Sequence, residues 1–517
     1  MSIRRRARAH SAALIAVALW FATVAAQDVL PQAERRSASP LATRAIDGGL
    51  RSGASPMRAV HKATDLHTRR MPANARYLRG SVIVKFRDGT SAARRADLVS
   101  LVAGRSMPSL PYAAFDLVAL DPADDPEAVA SRLAAQPDVA YAQARYRARP
   151  LYRPNDPLYS LQWNFASLEM ERAWDINPGS SPSVTVAVVD SGVAYVNTSL
   201  RFVQFNARSI EGSVFPALGT VDIPFAAAPD LGAADRFVSP YDFIWDDPQP
   251  LDMHGHGTHV AGTIGQATNN SLGVAGIAFN VKLMPIKVID GFWDEYFESP
   301  FFGTDDTVAR GVRYAADNGA KVINLSIGRE GPPAPVVRSA LEYAVSRGAF
   351  IAVAGGNEFL DGNPTPRFAE FAQQISGMVS VGAVGPDRQR AAYSNTGPYL
   401  ELVAPGGDFT RNGVSGLILQ QTYDFDFTDT FLNGTGGFRP PRFDVFAYLY
   451  AEGTSMATAH VSGLAALLYQ QGITKPSAIE AVMKRSATDL GPEGRDDQYG
   501  HGLINARAAL RGLGIAR

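Results

Sequence analysis

Three short runs, far apart in the chain, carry the residue types that nucleophilic catalysis needs. They supply Asp190, His256 and Ser455 in that order. A serine hydroxyl becomes a useful nucleophile only when a base takes its proton, and a carboxylate must hold that base in the right tautomer. The order differs from that of α/β-hydrolases, where Ser comes first, and from that of chymotrypsin, where His comes first. The three residues therefore predict acyl-transfer chemistry.

Each of these residues also has an alternative explanation from the sequence alone. Asp190 and Ser455 could simply cap helices. His254 and His259 flank His256, and three histidines could bind zinc. Their spacing lacks the paired histidines and glutamate of a zinc-protease helix, which argues against that metal.

The residues around the three positions resemble the signatures of the subtilases, the subtilisin-like serine proteases. The matching runs are Val186-Ala-Val-Val-Asp190-Ser-Gly192, His256-Gly-Thr-His-Val-Ala-Gly262 and Gly453-Thr-Ser455-Met-Ala457. The resemblance implies that Ser455 attacks, His256 moves the proton and Asp190 orients the imidazole. One position departs from the family, because Ala459 stands where Pro is usual. That change straightens a helix and leaves the catalytic atoms in place.

The run Ala354-Gly-Gly-Asn-Glu358 resembles the oxyanion segment of the same family. The resemblance implies that the Asn357 amide, with the backbone N–H of Ser455, stabilises the charge of a tetrahedral intermediate. The alternative is a turn asparagine, which the adjacent glycines favour. Because Ala457 replaces the last glycine of a Gly-x-Ser-x-Gly elbow, a serine esterase is the less favoured reading.

Substrate binding is expected to use backbone groups. The resemblance assigns Ser326, Ile327 and Gly328 to an edge that pairs with an extended peptide, and Phe301-Phe-Gly303 to the opposite strand. Ala354, Gly355 and Gly356 would line an open primary pocket, with Glu358 near its base. These small residues predict a pocket that accepts large apolar side chains.

A second resemblance concerns calcium. The run Thr268-Asn-Asn-Ser-Leu-Gly-Val274 is similar to the calcium loop that follows the His helix in subtilisins. It implies hard oxygen ligands for a structural Ca²⁺, whereas the chemistry itself is expected to need no cofactor. The ligand set expected from this resemblance is Gln162, Thr268, Asn270, Leu272 and Val274.

Periodicity predicts the elements that position these residues. Residues 184–189 form a near-continuous apolar run, as a buried parallel strand requires. His256 leads into a helical pattern of small residues at 260–265. Helical patterns at 305–318 and 336–347 alternate with strand patterns, listed in order as 322–326, 350–354, 379–384 and 400–403. Residues 158–517 are therefore predicted to be an α/β peptidase domain: a doubly wound, mostly parallel sheet with helices on both faces. Two long insertions are expected at 195–247 and 406–450, the second a hairpin.

The region before this domain predicts three further parts. Residues 75–146 alternate strand and helix, and resemble the inhibitory propeptide of subtilases, a small α+β domain. A generic accessory domain is the alternative. Residues 147–157 form a Pro- and Arg-rich processing junction, and self-cleavage is expected between about Ala144 and Tyr159. Residues 27–74 are predicted to be a disordered linker.

Residues 1–26 have the pattern of a signal peptide. Four arginines precede an apolar stretch from Ala12 to Ala22, and Val24-Ala25-Ala26 fits a cleavage site. That stretch is shorter than the ~20 residues of a membrane-spanning helix, which argues against an anchor. The enzyme is therefore expected to be secreted, extracellular or periplasmic, with no membrane association after the signal is removed.

Composition limits the remaining function classes. The chain has no Cys, which excludes disulfides and thiolate metal sites. Residues 1–150 have a net charge of +11 and the rest −12, so the two parts would attract each other. The arginines near the N-terminus are scattered, which argues against nucleic acid. We expect a monomeric, self-processing serine endopeptidase whose partners are protein or peptide substrates and its own propeptide. A catalytically inactive, subtilase-like binding scaffold is the main alternative.

Overall fold

The chain forms two compact units, each of which is described by itself, in a computed structural model. One unit lies within residues 32–150 and the other contains residues 151–517. The structure describes residues 77–108, 110, 112–146, 152–210, 213–425 and 439–512. The predicted signal peptide, the predicted linker and the first part of the junction lie outside the described residues.

The N-terminal unit is a small α+β domain. Its elements are β1 (Tyr77–Phe86), α1 (Ala92–Ser100), β2 (Arg105–Ser106), β3 (Asp116–Ala119), α2 (Pro126–Ala134) and β4 (Val139–Tyr146). The strands form one antiparallel sheet in the order β2-β3-β1-β4. The two helices begin after Ser91 and Asp125, whose side chains accept hydrogen bonds from backbone N–H groups of the first turn. Apolar side chains such as those of Val82 and Leu133 fill the space between the sheet and the helices and are buried there.

The second unit contains thirteen strands and ten α-helices among its described residues. The strands are β5 (Thr185–Asp190), β6 (Thr198–Phe202), β7 (Arg208–Ile210), β8 (Ser213–Phe215), β9 (Val221–Phe225), β10 (Tyr241–Asp242), β11 (Lys282–Lys287), β12 (Val322–Leu325), β13 (Phe350–Ala354), β14 (Met378–Val384), β15 (Leu402–Pro405), β16 (Ile418–Tyr423) and β17 (Phe446–Ala451). The helices are α3 (Trp163–Ser167), α4 (Met170–Trp174), α5 (His256–Gly265), α6 (Phe292–Tyr296), α7 (Asp305–Asp317), α8 (Pro335–Ser346), α9 (Phe409–Asn412), α10 (Thr454–Gln470), α11 (Pro476–Ser486) and α12 (Ala506–Gly512).

Seven strands form the central sheet, in the order β10-β11-β5-β12-β13-β14-β15, and every pairing in it is parallel. Alternate residues of β5 face opposite sides. Val186 and Val188 pack with α5 and α10, whereas Ala187 and Val189 pack with α7 and α8. Helices on both faces explain why the strands are apolar throughout, and they confirm the predicted doubly wound α/β fold.

Two local differences from the sequence predictions affect the site. The helix expected from Val260 already begins at His256, because Gly255 adopts a φ of 95° and turns the chain sharply into it. The strand expected at 400–403 begins at Leu402, where its ladder with β14 starts.

The first insertion forms two hairpins, β6 with β9 and β7 with β8. Its aromatic residues pack against the α6 segment; the rings of Phe202 and Phe297 stack with centroids 4.0 Å apart. The second insertion contains a hairpin, β16 with β17, whose strands pair in antiparallel register. Residues 426–438, which include much of the alternating pattern that predicts a hairpin, lie outside the described part. In the described chain, none of the helices has the length and apolarity that crossing a membrane requires.

Candidate active site

Asp190 and His256 meet at the carboxyl end of the central sheet. Asp190 ends β5, His256 begins α5, and Asp190 Oδ1 lies 2.7 Å from His256 Nδ1. A carboxylate only accepts, so Nδ1 carries the proton and Nε2 is left as the basic atom. Burial is the largest single influence and would lower the pKa of His256, but the charge of Asp190, its hydrogen bond and the charge of Asp252 together outweigh burial, and the pKa is raised. The pair has the geometry of an oriented general base.

A second buried carboxylate, Asp252, fastens this pair in place. Its Oδ1 accepts hydrogen bonds from Ser191 Oγ at 3.0 Å and Gly255 N at 2.8 Å. Its Oδ2 accepts from Thr258 N at 3.0 Å and Thr258 Oγ1 at 2.6 Å. Ser191 N in turn donates to Asp190 Oδ1 at 2.7 Å. Asp252 thus ties the turn after β5 to the start of α5. Sequence reasoning missed it, although a buried Asp four residues before His256 was a usable signal.

Ser455 lies in the first turn of α10, beside the end of β12. Its Oγ donates to the carbonyl of Ser326 at 2.9 Å, and Ser326 Oγ donates back to the Ser455 carbonyl at 2.8 Å. A hydroxyl has one proton, so Ser455 Oγ must give up its hydrogen bond to the Ser326 carbonyl before it can hand that proton to His256. The structure therefore places Ser455 against the segment 326–328, which the sequence predicts to bind substrate.

The Asn357 amide is oriented by Thr454. Both the backbone N and the Oγ1 of Thr454 donate to Asn357 Oδ1, each at 2.9 Å. The Nδ2 donor group of the amide consequently faces away from these bonds. A Cβ atom built on Gly453 would lie 3.7 Å from Asn357 Nδ2 and 3.7 Å from Ser455 N. The two nitrogen atoms therefore lie beside the same space next to Gly453, where the sequence predicts the oxyanion site.

The expected primary pocket is bounded by a residue that sequence reasoning did not single out. A Cβ on Gly328 would touch Pro366 at 4.0 Å, and one on Gly356 would collide with Pro366 at 2.6 Å. Pro366 therefore packs beside both glycine-containing segments. Glu358 accepts from Asn357 N at 2.8 Å and from Asn395 Nδ2 at 3.3 Å, and burial raises the pKa of its carboxyl. Its carboxylate thus supports the Asn357 segment.

Comparison with known proteins decides the family. Residues 181–502 match the profile described as the Subtilase family. The chain belongs to the subtilase family. This subtilase is a serine endopeptidase, and its residues 64–144 match the Fervidolysin N-terminal prodomain profile.

Named relatives agree with this assignment. The subtilase is 30% identical to Thermitase of Thermoactinomyces vulgaris over 70% of this chain and 100% of that protein. It is 29% identical to a Thermophilic serine proteinase of Bacillus sp. (strain AK1), over 84% and 88% of the two chains. It is 28% identical to the Extracellular basic protease of Dichelobacter nodosus, over 84% and 71%.

Solved structures support the fold. A protease structure from Pseudoalteromonas arctica PAMC 21717 matches with a TM-score of 0.52 and 26% identity, over 70% of this chain and 100% of that one. Fervidolysin from Fervidobacterium pennivorans matches with a TM-score of 0.50 and 22% identity, over 86% and 62%.

Two buried carboxylates lie beside the loop that follows α5 in this subtilase. Asp156 accepts hydrogen bonds from Asn269 N at 2.8 Å and Asn270 N at 3.3 Å. Asp230 accepts from Asn270 Nδ2 at 2.7 Å and Val274 N at 3.1 Å. Burial raises the pKa of Asp230 to about 6, and the charge of Asp156 adds to the shift. All of these donors are neutral, and the contribution of the Asp156 charge to the Asp230 pKa indicates that the two carboxylates lie near each other.

The side chain of Gln162, which the sequence predicts as a metal ligand, is hydrogen-bonded through both of its polar atoms. Its Oε1 accepts from Ala275 N at 2.8 Å, and its Nε2 donates to the carbonyls of Ala275 and Leu419. The side chain of Thr268 is also engaged, with Gln266 O and Gly276 N. Asp156 and Asp230 have the better donor chemistry for calcium. Sequence reasoning missed both, because Asp156 lies in the junction and Asp230 in the first insertion.

The alternative of a zinc site gains no support. His259 Nε2 lies 3.2 Å from the carbonyl of Ile418 and 3.3 Å from that of Leu449, and burial lowers the pKa of His259 to about 3. The ring faces the second-insertion hairpin. Within the described ranges, no three His, Cys, Asp or Glu side chains converge in a way suited to a metal ion.

Proposed function

We propose that this subtilase hydrolyses peptide bonds with Ser455 as nucleophile, His256 as general base and Asp190 as the group that orients His256. The observation that carries the proposal is the buried Asp190–His256 hydrogen bond of 2.7 Å. It leaves Nε2 as the proton acceptor, and a raised pKa suits a base that must hold the proton between the two halves of the reaction.

The first half of the reaction acylates Ser455. Its Oγ leaves the Ser326 carbonyl, gives its proton to His256 Nε2 and forms a bond to the scissile carbonyl carbon. The carbonyl electron pair moves onto oxygen, where Asn357 Nδ2 and Ser455 N donate hydrogen bonds. Collapse re-forms the carbonyl, breaks the C–N bond and sends the His256 proton to the leaving amine. In the second half, water replaces the amine and repeats the same steps.

Substrate binding uses the residues on either side of this centre. Ser326, Ile327 and Gly328 offer an edge to an extended peptide, and backbone pairing gives affinity without selecting side chains. Ala354, Gly355 and Gly356 line the primary pocket, and Pro366 bounds it. We expect apolar side chains before the cut. Exchanging Pro366 for Gly should enlarge the largest side chain that is accepted.

We propose that the enzyme is made as an inhibited precursor and exported. The α+β unit before the peptidase domain and its match to a prodomain profile support an inhibitory propeptide. The N-terminal signal pattern and the name of the Dichelobacter nodosus relative support secretion. Self-cleavage between about Ala144 and Tyr159 would release a monomeric mature enzyme.

We also propose a structural calcium site at the loop after α5. Asp156 and Asp230 would supply its charged ligands, with oxygens of Asn270, Leu272 and Val274 completing the set. Two buried carboxylates that both accept hydrogen bonds from Asn270 support this fit, because a divalent cation would neutralise both. When bound, the ion would brace the loop and the start of the mature chain. The catalytic steps do not involve it.

Casein hydrolysis with and without a serine-directed sulfonyl fluoride tests the activity. We expect the wild type to cleave casein and the inhibitor to stop it. Ser455→Ala should abolish hydrolysis and accumulate as an uncut precursor, which N-terminal sequencing in a protease-free host would detect. A wild type that binds casein without cutting it would favour the inactive scaffold. Cleavage of simple esters but not of peptides would favour an esterase.

A further inference from the structure

One ion pair lies directly behind the two segments assigned to peptide binding. Asp305 begins α7, two residues after Gly303, and Arg329 follows Gly328. Arg329 Nε lies 2.6 Å from Asp305 Oδ1, and Nη2 lies 2.5 Å from Oδ2. The guanidinium and the carboxylate therefore form two parallel hydrogen bonds. We call this pair the cleft clamp.

The cleft clamp is anchored on its basic side as well. Arg329 Nη1 donates to the carbonyls of Glu330 and Pro332 at 2.8 and 2.7 Å. The Arg329 carbonyl accepts from the backbone N of Arg367, which follows Pro366. Arg329 thus connects the edge at 326–328 to the segment after 301–303 and to the segment that bounds the primary pocket. Its side chain is about one-third exposed, so its charge is only partly screened.

Other ion pairs of the described chain lack this position. Arg338 and Glu342 lie four residues apart on α8, in contact at 2.9 Å, and both side chains are more exposed than those of the clamp. That pair lies within one helix and joins no separate segments. It offers a matched control, since its loss removes a salt bridge and leaves the cleft untouched.

A peptide that lies between two edges needs those edges at a fixed separation. Neighbouring strands are about 4.8 Å apart, so a three-stranded arrangement fixes the distance between its outer members. If one edge drifts, hydrogen bonds on both sides of the peptide weaken together. A short substrate, which reaches only the primary pocket, does not depend on this spacing.

We propose that the cleft clamp is a positioning device that holds the segments 301–303 and 326–328 apart at the width of one peptide strand. It makes the enzyme selective for substrates that extend several residues before the cut. The inference rests on the proposed function, which assigns these segments to peptide binding. Arg329 and Asp305 touch neither substrate nor reacting atoms; they act through the backbone they hold.

The test compares two substrates that share the same primary residue, a blocked single-residue ester and a blocked tetrapeptide anilide. Arg329→Gln and Asp305→Asn should each lower kcat/KM for the tetrapeptide by about tenfold. The ester should change by less than about twofold, and the double variant should be no worse than either single one. Arg329→Lys, which keeps the charge but loses the two-pronged contact, should fall between. Arg338→Gln should behave as wild type.

The outcomes separate the inference from the function on which it rests. A loss confined to the tetrapeptide, with an unchanged midpoint of thermal unfolding, supports the clamp. Equal losses for ester and tetrapeptide, or no loss for either, overturn the clamp and leave the proposed function standing. Ester hydrolysis that survives Ser455→Ala overturns the proposed function and this inference with it.

Discussion

Two fully buried carboxylates, Asp190 in the active site and Asp230 beside the loop after α5, have opposite surroundings. Asp190 faces an imidazole at 2.7 Å and raises its pKa. Asp230 faces only neutral donors and a second carboxylate, and burial raises its own pKa to about 6. The same side chain at the same depth thus serves proton transfer in one place and favours a bound cation in the other. The groups around a buried carboxylate therefore decide which role it can have.

A third buried carboxylate, Asp294, is paired with a cationic side chain of the protein itself. Lys287 Nζ lies 2.5 Å from Asp294 Oδ1, and both side chains are buried. Burial is the largest single influence and would lower the pKa of Lys287, but the charge and hydrogen bond of Asp294 together with the charges of Asp242 and Asp252 outweigh burial, and the pKa is raised. The Lys287 ammonium group neutralises the charge of the Asp294 carboxylate. Asp294 therefore neither orients a catalytic base nor calls for a metal ion.

The largest effect is expected from substitution of Asp190, the carboxylate proposed to act in catalysis. Asp190→Asn should lower kcat by about 10⁴-fold, because the amide no longer holds His256 in the reactive tautomer. Asp230→Asn, assayed at low temperature with calcium, should keep kcat within a few-fold of wild type. Steady-state kinetics on one peptide anilide measures both. Comparable losses of kcat in the two variants would contradict the proposal that Asp190, and not Asp230, acts in catalysis.

A second prediction concerns the oxyanion half of the same site. Asn357→Leu should lower kcat by about 10²-fold or more and leave KM close to wild type, since the charge it meets exists only in the transition state. Ser455→Ala sets the background rate. A raised KM with kcat intact would instead make Asn357 a structural turn residue.

Removal of calcium tests the role proposed for Asp230, the second carboxylate of the comparison. Chelation should lower the midpoint of thermal unfolding of the mature wild type by about 5–10 °C, as expected for loss of a ligand held well above its dissociation constant. Asp230→Asn should start lower and respond little to chelation. Asp235→Asn, at an exposed position five residues away, is the matched control and should respond like wild type. A wild type insensitive to chelation would remove the calcium proposal.

The smallest effect is a pH dependence of that calcium response. The folded pKa of Asp230, about 6, lies above its ordinary value of 3.8. In the metal-free protein its stabilising contribution is complete below about pH 3.8 and is lost as the pH rises through 6. Calcium binds the ionised form. The gain in unfolding midpoint on adding calcium should therefore be larger at pH 8 than at pH 5, and equal gains would argue against Asp230 as the ligand.

Much of the fold follows from local pattern. The apolar run of β5 predicts a strand buried on both faces, and the structure confirms it in the middle of a parallel sheet. The second insertion is likewise predicted to be a hairpin, and the structure pairs β16 with β17, although much of the alternating pattern lies at 426–438, outside the described residues. The exact start of α5 was wrong, because the left-handed turn at Gly255, and not periodicity, begins that helix.

The sequence by itself determined the family, the α/β class and the residues proposed for chemistry, because each of them lies in a short run with a recognisable pattern. Only the tertiary structure decided which distant side chains contact each other. Asp252 with Ser191, Asp156 with Asn269, and Arg329 with Asp305 are joined across 61, 113 and 24 positions. The physical reason is that periodicity reports which face of an element is buried. Which distant polar group meets a buried charge depends on how the elements pack.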